Sequence, residues 1–159
     1  MKLYREATVK DGFLVANQLR PEDKREVEGM GHTPFHIPLC VLASEHATVF
    51  HSPDGEIAGV AGIVRLDAKT GQIWMLCTPA ITKYLHIFVR RSKKWLRDVQ
   101  KEYQLLWGLA DVRNQVHHKL LIHLGFKALR TVPVGPKNLP YYEIVKLCAS
   151  QQQPSQWQP

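Results

Sequence analysis

Between Gly71 and Phe126 the apolar positions change period several times, and each change marks an element. Ile73-Trp74-Met75-Leu76-Cys77-Thr78 is a short unbroken apolar run between Gly71 and Pro79, the pattern of a strand covered on both faces. Thr78 then stands as an N-cap with Pro79 in the first helical position, where a missing N–H costs nothing. From Ile81 the apolar residues fall at Leu85, Phe88, Val89, Leu96, Val99 and Tyr103, a single stripe along a long helix. Lys83, Arg90, Arg91, Lys93, Lys94, Arg97 and Lys101 occupy the rest of it. Leu105–Val112 supplies a second strand, and Asn114 caps a short helix carrying Val116, Leu120, Leu121 and Leu124 that stops at Gly125 in the left-handed conformation. A helix this long between two strands predicts that they lie parallel, with a right-handed crossover.

The flanks extend that unit into one domain. A short strand at Leu3–Glu6 precedes helices at Lys10–Leu19 and Glu22–Met30, punctuated by Pro21 and by Gly29 to Gly31. Val41–Phe50 and Ile57–Leu66 read as strands joined by the turn Ser52-Pro53-Asp54-Gly55, and Asp67–Gly71 turns the chain into the next strand. Ala128–Val132 and Tyr141–Leu147 are the closing strands, separated by the loop Gly135-Pro136-Lys137-Asn138. The expected architecture is therefore α/β: an antiparallel meander, then a parallel pair, with helices on both faces. Residues 1–148 form the single domain, and the Gln-, Ser- and Pro-rich stretch 149–159 is expected to be disordered.

Composition limits the setting. Cys40, Cys77 and Cys148 are odd in number and lack metal-ligand spacing, which suits reduced core thiols and a cytoplasmic chain. No apolar run approaches the ~20 residues that span a bilayer, and Met1-Lys2-Leu3 does not open a signal-peptide pattern. The formal net charge of +7 is concentrated on the Lys83–Lys101 helix, a distribution that suits phosphate, an acidic protein surface or coenzyme A. No helix-turn-helix or basic-zipper pattern accompanies it, which argues against sequence-specific DNA reading.

The order of elements, ending in Arg113-Asn114 and Leu124-Gly125-Phe126, resembles the GNAT superfamily of acyl-CoA-dependent N-acetyltransferases over Lys2 to about Leu147. A narrower resemblance is to a phage group related to the small internal virion protein of T-odd short-tailed phages, itself GNAT-like. It rests on Arg5-Glu6-Ala7-Thr8, Leu19-Arg20-Pro21-Glu22-Asp23, Gly31-His32, Ile73 to Thr78, Arg113-Asn114 and Leu124-Gly125-Phe126. The superfamily resemblance implies a GNAT-like mixed sheet whose parallel strands splay apart. The phage resemblance implies work in the host cytoplasm during assembly, or in the virion, beside other virion or ejection proteins.

The resemblance also implies where chemistry would sit. GNAT enzymes hold the coenzyme A pyrophosphate on a glycine-containing turn at the start of the long helix, because bare backbone N–H groups make an anion nest. The matching segment, Thr78-Pro79-Ala80-Ile81-Thr82-Lys83-Tyr84, has no glycine, and Pro79 removes a donor. The tyrosine that serves many members as general acid is replaced by Leu121. His117, His118 and His123 on the same helix are the remaining acid or base candidates, against the plainer reading of solvated surface histidines. No carboxylate lies in Gly71–Thr78, and Asp67 and Asp111 are read as caps of turns and strand ends. Cys77, Thr78, Lys83 and Asn114 are expected at the mouth of a vestigial cleft. No cofactor is expected, with acetyl-CoA implied only if the chain is an enzyme.

Other residues carry weaker signals. His32 and His36 have a metal-like spacing, but Pro34 between them argues against a regular helix, and no metal is expected. Cys77 is read as an inert buried thiol rather than a nucleophile. Trp74 and Trp107 are read as packing between neighbouring strands, whereas Trp95 lies off the apolar stripe and is expected at an interface with Arg90, Arg91, Lys93 and Lys94. Three functions are compatible with this pattern: a phage assembly protein on a GNAT fold without efficient acetyl transfer, an acetyltransferase with an atypical coenzyme pocket, and a nonspecific nucleic-acid-binding accessory protein.

Overall fold

The computed structural model describes residues 3–148, so the expectation of a disordered 149–159 lies outside the described residues. The chain runs β1 (Tyr4–Glu6), α1 (Val9–Ala16), α2 (Pro21–Gly29), α3 (His36–Ala43), β2 (Glu45–His51), β3 (Ile57–Arg65) and β4 (Thr70–Cys77). It continues through a 3-10 turn (Pro79–Tyr84), α4 (Leu85–Val99), β5 (Leu105–Asp111), α5 (Gln115–His123), β6 (Lys127–Val134) and β7 (Leu139–Leu147). The strands form one sheet in the order β1-β2-β3-β4-β5-β7-β6, in which β4 and β5 are parallel and the other described neighbours antiparallel.

The central pairing is incomplete. β4 matches β3 from Gly71 to Cys77, and β5 matches β7 along its whole length. Between them, however, β4 and β5 share a ladder only at Thr70↔Leu105, Gly71↔Leu106 and Gln72↔Trp107. Each strand follows the twist of its other neighbour, so the two diverge beyond Gln72 and open a gap toward Cys77 and Asp111.

The sheet buries both faces. Val15, Val27, Ile37 and Val41 of α1–α3 pack on Val49, Val60 and Leu76. On the opposite face Phe88, Trp95 and Leu96 of α4, with Leu120 and Leu121 of α5, pack on Phe50, Ile63, Ile73 and Met75. Alternate residues of β4 thus feed opposite cores, as its unbroken apolar sequence predicts.

Three expectations change. Val41 does not begin a strand: His36–Ala43 is a helix, and β2 starts at Glu45. His36-Ile37-Pro38-Leu39-Cys40-Val41-Leu42-Ala43 is apolar on nearly every side, so it shows no helical period. Pro38 is tolerated because it falls in the first turn, whose N–H groups have no intrahelical partner. The long helix does not start at Pro79 either, since a 3-10 turn comes first and α4 begins at Leu85. Finally, Trp95 is only 3% exposed, and its Nε1 donates to Thr48 Oγ1 at 2.9 Å. The buried face of α4 is Phe88, Ser92, Trp95, Leu96 and Val99. The small polar Ser92 in the middle of that stripe masks it in the sequence, and Trp95 is removed from the set of interface residues.

Gly108 marks the point where the gap opens. A Cβ there would stand 2.9 Å from the Ile73 carbonyl oxygen, a backbone atom with no freedom to withdraw. Gly108→Ala is therefore expected to cost about 1–3 kcal/mol, a fall of roughly 3–10 °C in Tm, as overpacking at a fixed contact does. A thermal melt followed by circular dichroism checks it.

Candidate functional site

α2 offers the sheet few apolar groups. In Pro21-Glu22-Asp23-Lys24-Arg25-Glu26-Val27-Glu28-Gly29 the buried residues are Asp23, Glu26 and Val27. A helix that buries two carboxylates must supply them with partners, because an unpaired buried charge is not tolerated. Pro21 holds Arg20 in an extended conformation (φ −52°, ψ 142°). The Arg20 side chain, 6% exposed, can then fold back onto Asp23.

The partners come from both sides of the gap. At the end of β4 the Cys77 N–H donates to Asp23 Oδ2 at 2.8 Å, and the Arg20 N–H donates to the Cys77 carbonyl at 2.9 Å. Across the gap, Asn114 Nδ2 donates to Asp23 Oδ1 at 2.7 Å and to Glu26 Oε2 at 3.0 Å. Arg20 Nη2 donates to Asn114 Oδ1 at 2.8 Å and to Asp23 Oδ1 at 3.1 Å. Glu26 Oε2 also accepts the Asp111 N–H at 3.3 Å and lies 3.3 Å from His117 Nδ1. The Tyr141 hydroxyl donates to the Glu26 carbonyl at 2.6 Å. One buried network therefore ties α2 to β4, β5, α5 and β7 where the parallel strands separate.

Of the residues expected at the mouth, Cys77 and Asn114 are brought together there, but not as an open cleft. Cys77 and Asn114 are 5% and 1% exposed and belong to the network. Asn114 occupies the N-cap position of α5 without a side-chain capping bond, because its amide is turned inward. Burial pushes the Cys77 thiol well above its ordinary range, and Asp23 adds to that, so it is held protonated. Thr78 is buried, with Oγ1 donating to the Ile57 carbonyl and accepting from Ala80 N–H. Lys83 lies outside, its ammonium 3.3 Å from the Glu56 carboxylate.

This settles how the turn after β4 would meet a diphosphate. The Ala80 N–H is taken by Thr78 Oγ1, the Ile81 N–H by the Thr78 carbonyl, and Pro79 has none. Lys83 pairs with Glu56 at the surface, outside the turn. These residues do not make the anion cradle that a coenzyme A pyrophosphate needs.

The three histidines separate into three environments. His123 is exposed, and the His118 ring stacks on Tyr142 at 4.7 Å between centroids. His117 alone faces a carboxylate, and its side chain is 11% exposed. Burial pushes its imidazole pKa down, but the charge and hydrogen bond of Glu26 more than offset this, and the pKa lies above 6.5. His32 and His36 stack face to face at 4.0 Å instead of converging on a common point. Glu45, His46 and Glu102 bring ligand atoms within 4.8 Å of one another at the surface, yet Glu45 is held by Arg65 and by the Tyr103 hydroxyl.

Arg20, Asp23 and Glu26 are site residues that sequence reasoning missed. The signal for the two carboxylates was the polar face of α2: Asp23 and Glu26 are three residues apart on a helix with one aliphatic anchor, Val27.

No family model matches the chain, and no curated protein is significantly similar to it in sequence. Solved structures are similar in fold. Spermidine N-acetyltransferase from Vibrio cholerae, in complex with CoA and spermine, matches with a TM-score of 0.65 and 12% identity over 92% of this chain and 95% of that one. A GNAT-family acetyltransferase from Bacillus anthracis gives 0.64 and 14% over 91% and 93%. Ribosomal-protein-S5-alanine acetyltransferase from Vibrio fischeri gives 0.59 and 14% over 100% and 97%. The fold is the GNAT fold. At these identities the likeness concerns architecture, and the chemistry of the GNAT cleft has to be argued from the residues that fill it here.

The Glu26–His117 pair sets a pH signature. A histidine whose pKa is raised by folding stabilises the folded state fully below the unfolded value of 6.5, and that contribution is lost as pH rises through the higher folded value. Wild-type stability minus that of His117→Gln is therefore expected to shrink from about pH 6.5 upward. Denaturant melts of both proteins at pH 5.5 to 9 check the sign, and a difference that grows with pH overturns the pairing.

Proposed function

We propose that this chain is a GNAT-fold phage protein without efficient acetyl transfer that serves virion morphogenesis or ejection-core assembly through protein contacts. The carrying observation is the closed mouth of the gap: Arg20, Asp23, Glu26 and Asn114 occupy one another and both backbone polar groups of Cys77. Leu121 at the position of the usual acid tyrosine, packed in the core at 5% exposure, supports the same reading. The docking face is the solvent side of α4, where Arg90, Lys93, Lys94 and Arg97 are exposed and Arg91 is half-buried. Its partner is an acidic surface of another virion or ejection protein, met in the host cytoplasm during assembly. No described helix is long and apolar enough to cross a membrane.

A second reading, an acetyltransferase with an atypical pocket, is favoured by one observation, the His117 imidazole held by Glu26. Nonspecific binding of nucleic acid by α4 is the third.

Calorimetric titration with acetyl-CoA, with desulfo-CoA as the control, separates the first two. No saturable heat up to millimolar ligand is expected, and micromolar binding restores the enzyme reading. Combined Arg90→Glu, Arg91→Glu, Lys93→Glu and Lys94→Glu is expected to leave the fold intact by circular dichroism and to abolish complementation of particle assembly. Full complementation by that variant removes the basic face from the function. A wild-type affinity for duplex DNA falling with salt at a slope of roughly 0.9 per phosphate supports the nucleic-acid reading instead.

A further inference from the structure

α3 is apolar on two sides. Ile37, Pro38 and Val41 are buried. Phe35, just before the helix, Leu39 and Leu42 fall at i, i+4 and i+7 on another side, and they are 58%, 58% and 68% exposed. No lysine, arginine, aspartate or glutamate interrupts the helix. A helix apolar all round belongs inside a structure, yet this one forms a ridge in water.

The ridge borders a floor of similar character. Strand register puts Val64, Gln72, Trp74, Trp107, Leu109 and Val145 on one face of the sheet. Trp74 Nε1 donates to Ser44 Oγ, at the end of α3, at 2.7 Å, so this is the α3 face. All six are only half-buried, and Leu147 on the same face of β7 is 79% exposed. A cavity of about 340 Å³ is lined by Leu39 and Ala43 of the ridge and by Val64, Trp74 and Leu109 of the floor. Ridge and floor are therefore adjoining walls of one trough. Along β6 and β7 the charged residues on this face are Lys127, Arg130 and Glu143, and the last two pair at 3.4 Å.

We propose that this trough is the contact surface of a symmetric dimer, the α3 ridge of each copy lying on the β5–β7 floor of the other. Three large side chains of the ridge more than half exposed, together with Leu147 and the half-buried floor, leave on the order of 700 Å² of apolar surface in water. That exceeds the roughly 300–600 Å² of the largest patch on an ordinary monomer. It approaches the roughly 800 Å² that each partner buries in a stable interface. Charge selects a second copy as the occupant. The net charge of +7 is concentrated on α4, which packs on the opposite face of the sheet. A polyanion or an anionic membrane would need cations around the trough, and a strongly charged protein would need opposite charge within it. A nearly uncharged surface meets its own copy without repulsion, while the two basic faces point outward. A two-fold axis between ridge and floor makes the surface its own complement, so the contact closes at two copies. The inference does not depend on acetyl transfer or on the role of α4, which stays free in the dimer.

The test is sedimentation velocity of the full chain across the micromolar range. A species of twice the 18.2 kDa of one chain is expected to grow with concentration. It is expected to be favoured by added salt, because screening weakens the repulsion between two copies of charge +7. Leu39→Lys combined with Leu42→Lys, on the ridge, is expected to lower the association constant about a hundredfold or more, since each copy then brings two unpaired charges into the contact. Its circular dichroism is expected to stay that of the wild type, because both positions are exposed. Leu147→Lys, on the floor, tests the other wall through a second exposed position and is expected to weaken association about tenfold or more. A wild-type chain that keeps the mass of one copy throughout overturns the proposal, and its flotation with phosphatidylcholine vesicles would assign the trough to a lipid surface instead. A dimer that either variant leaves intact, or one that dissociates as salt is raised, overturns it as well.

Discussion

Asp23 sits where two strands of one sheet part company, and its carboxylate holds them in relation to each other. One oxygen accepts the last inward N–H of β4, and the other accepts from Asn114 and Arg20. The side chain is 4% exposed, so these bonds form in a medium where each is electrostatically strong and where a missing partner is costly. Cys77 would otherwise present an unpaired strand edge, because parallel pairing with β5 ends at Gln72↔Trp107. Where the sheet opens in its middle, α2 and Arg20 supply, from the side, the hydrogen bonds at Cys77 that β5 withholds.

That arrangement explains an otherwise unfavourable helix. α2 is the most polar of the described helices packed on the sheet, and hydrophobic burial alone would not fix its position. Directional bonds do so instead, and they specify one register: shifting α2 by a residue would carry Asp23 and Glu26 away from Cys77 and Asp111. A buried ionic cluster is seldom the most stabilising way to fill a space, since desolvation absorbs most of the Coulombic gain. What this cluster provides is a defined geometry at a gap where apolar packing would leave backbone groups unmet.

Much of the fold was legible in the sequence because it follows from period and punctuation. The apolar run Ile73–Cys77, and Asn114 and Gly125 at the ends of α5, appear where the pattern places them, with Gly125 at φ +92°, and the basic amphipathic helix appears with its start moved to Leu85. α3 was not legible, because an all-apolar helix containing Pro38 has neither a helical period nor a polar face to mark its solvent side. Trp95 misled for the converse reason: its helix turns inward along Phe88, Ser92, Trp95 and Val99, and the polar Ser92 hides that line. At the site, the residues bordering the gap could be read from the strand ends, but their state could not. Whether Asn114 caps its own helix or reaches inward depends on Asp23 and Glu26, about ninety residues away in sequence, and no local pattern carries that information.

The network also bears on how a GNAT fold loses or changes its chemistry. Splaying is a property of topology, retained as long as β4 follows β3 and β5 follows β7. A cleft is a property of what the splay leaves unsatisfied. Here the backbone groups of Cys77 facing the gap are met from within the chain, and the turn after β4 spends its first donors on Thr78. A ligand approaching from that end would have to displace internal bonds of equal quality before gaining any of its own. From the α3 side the balance is different, since the cavity lined there by Met30, Ile37, Trp74 and Leu109 is largely apolar. The same opening in the sheet is therefore filled by internal hydrogen bonds at the Cys77 end and lined by apolar side chains on the α3 side.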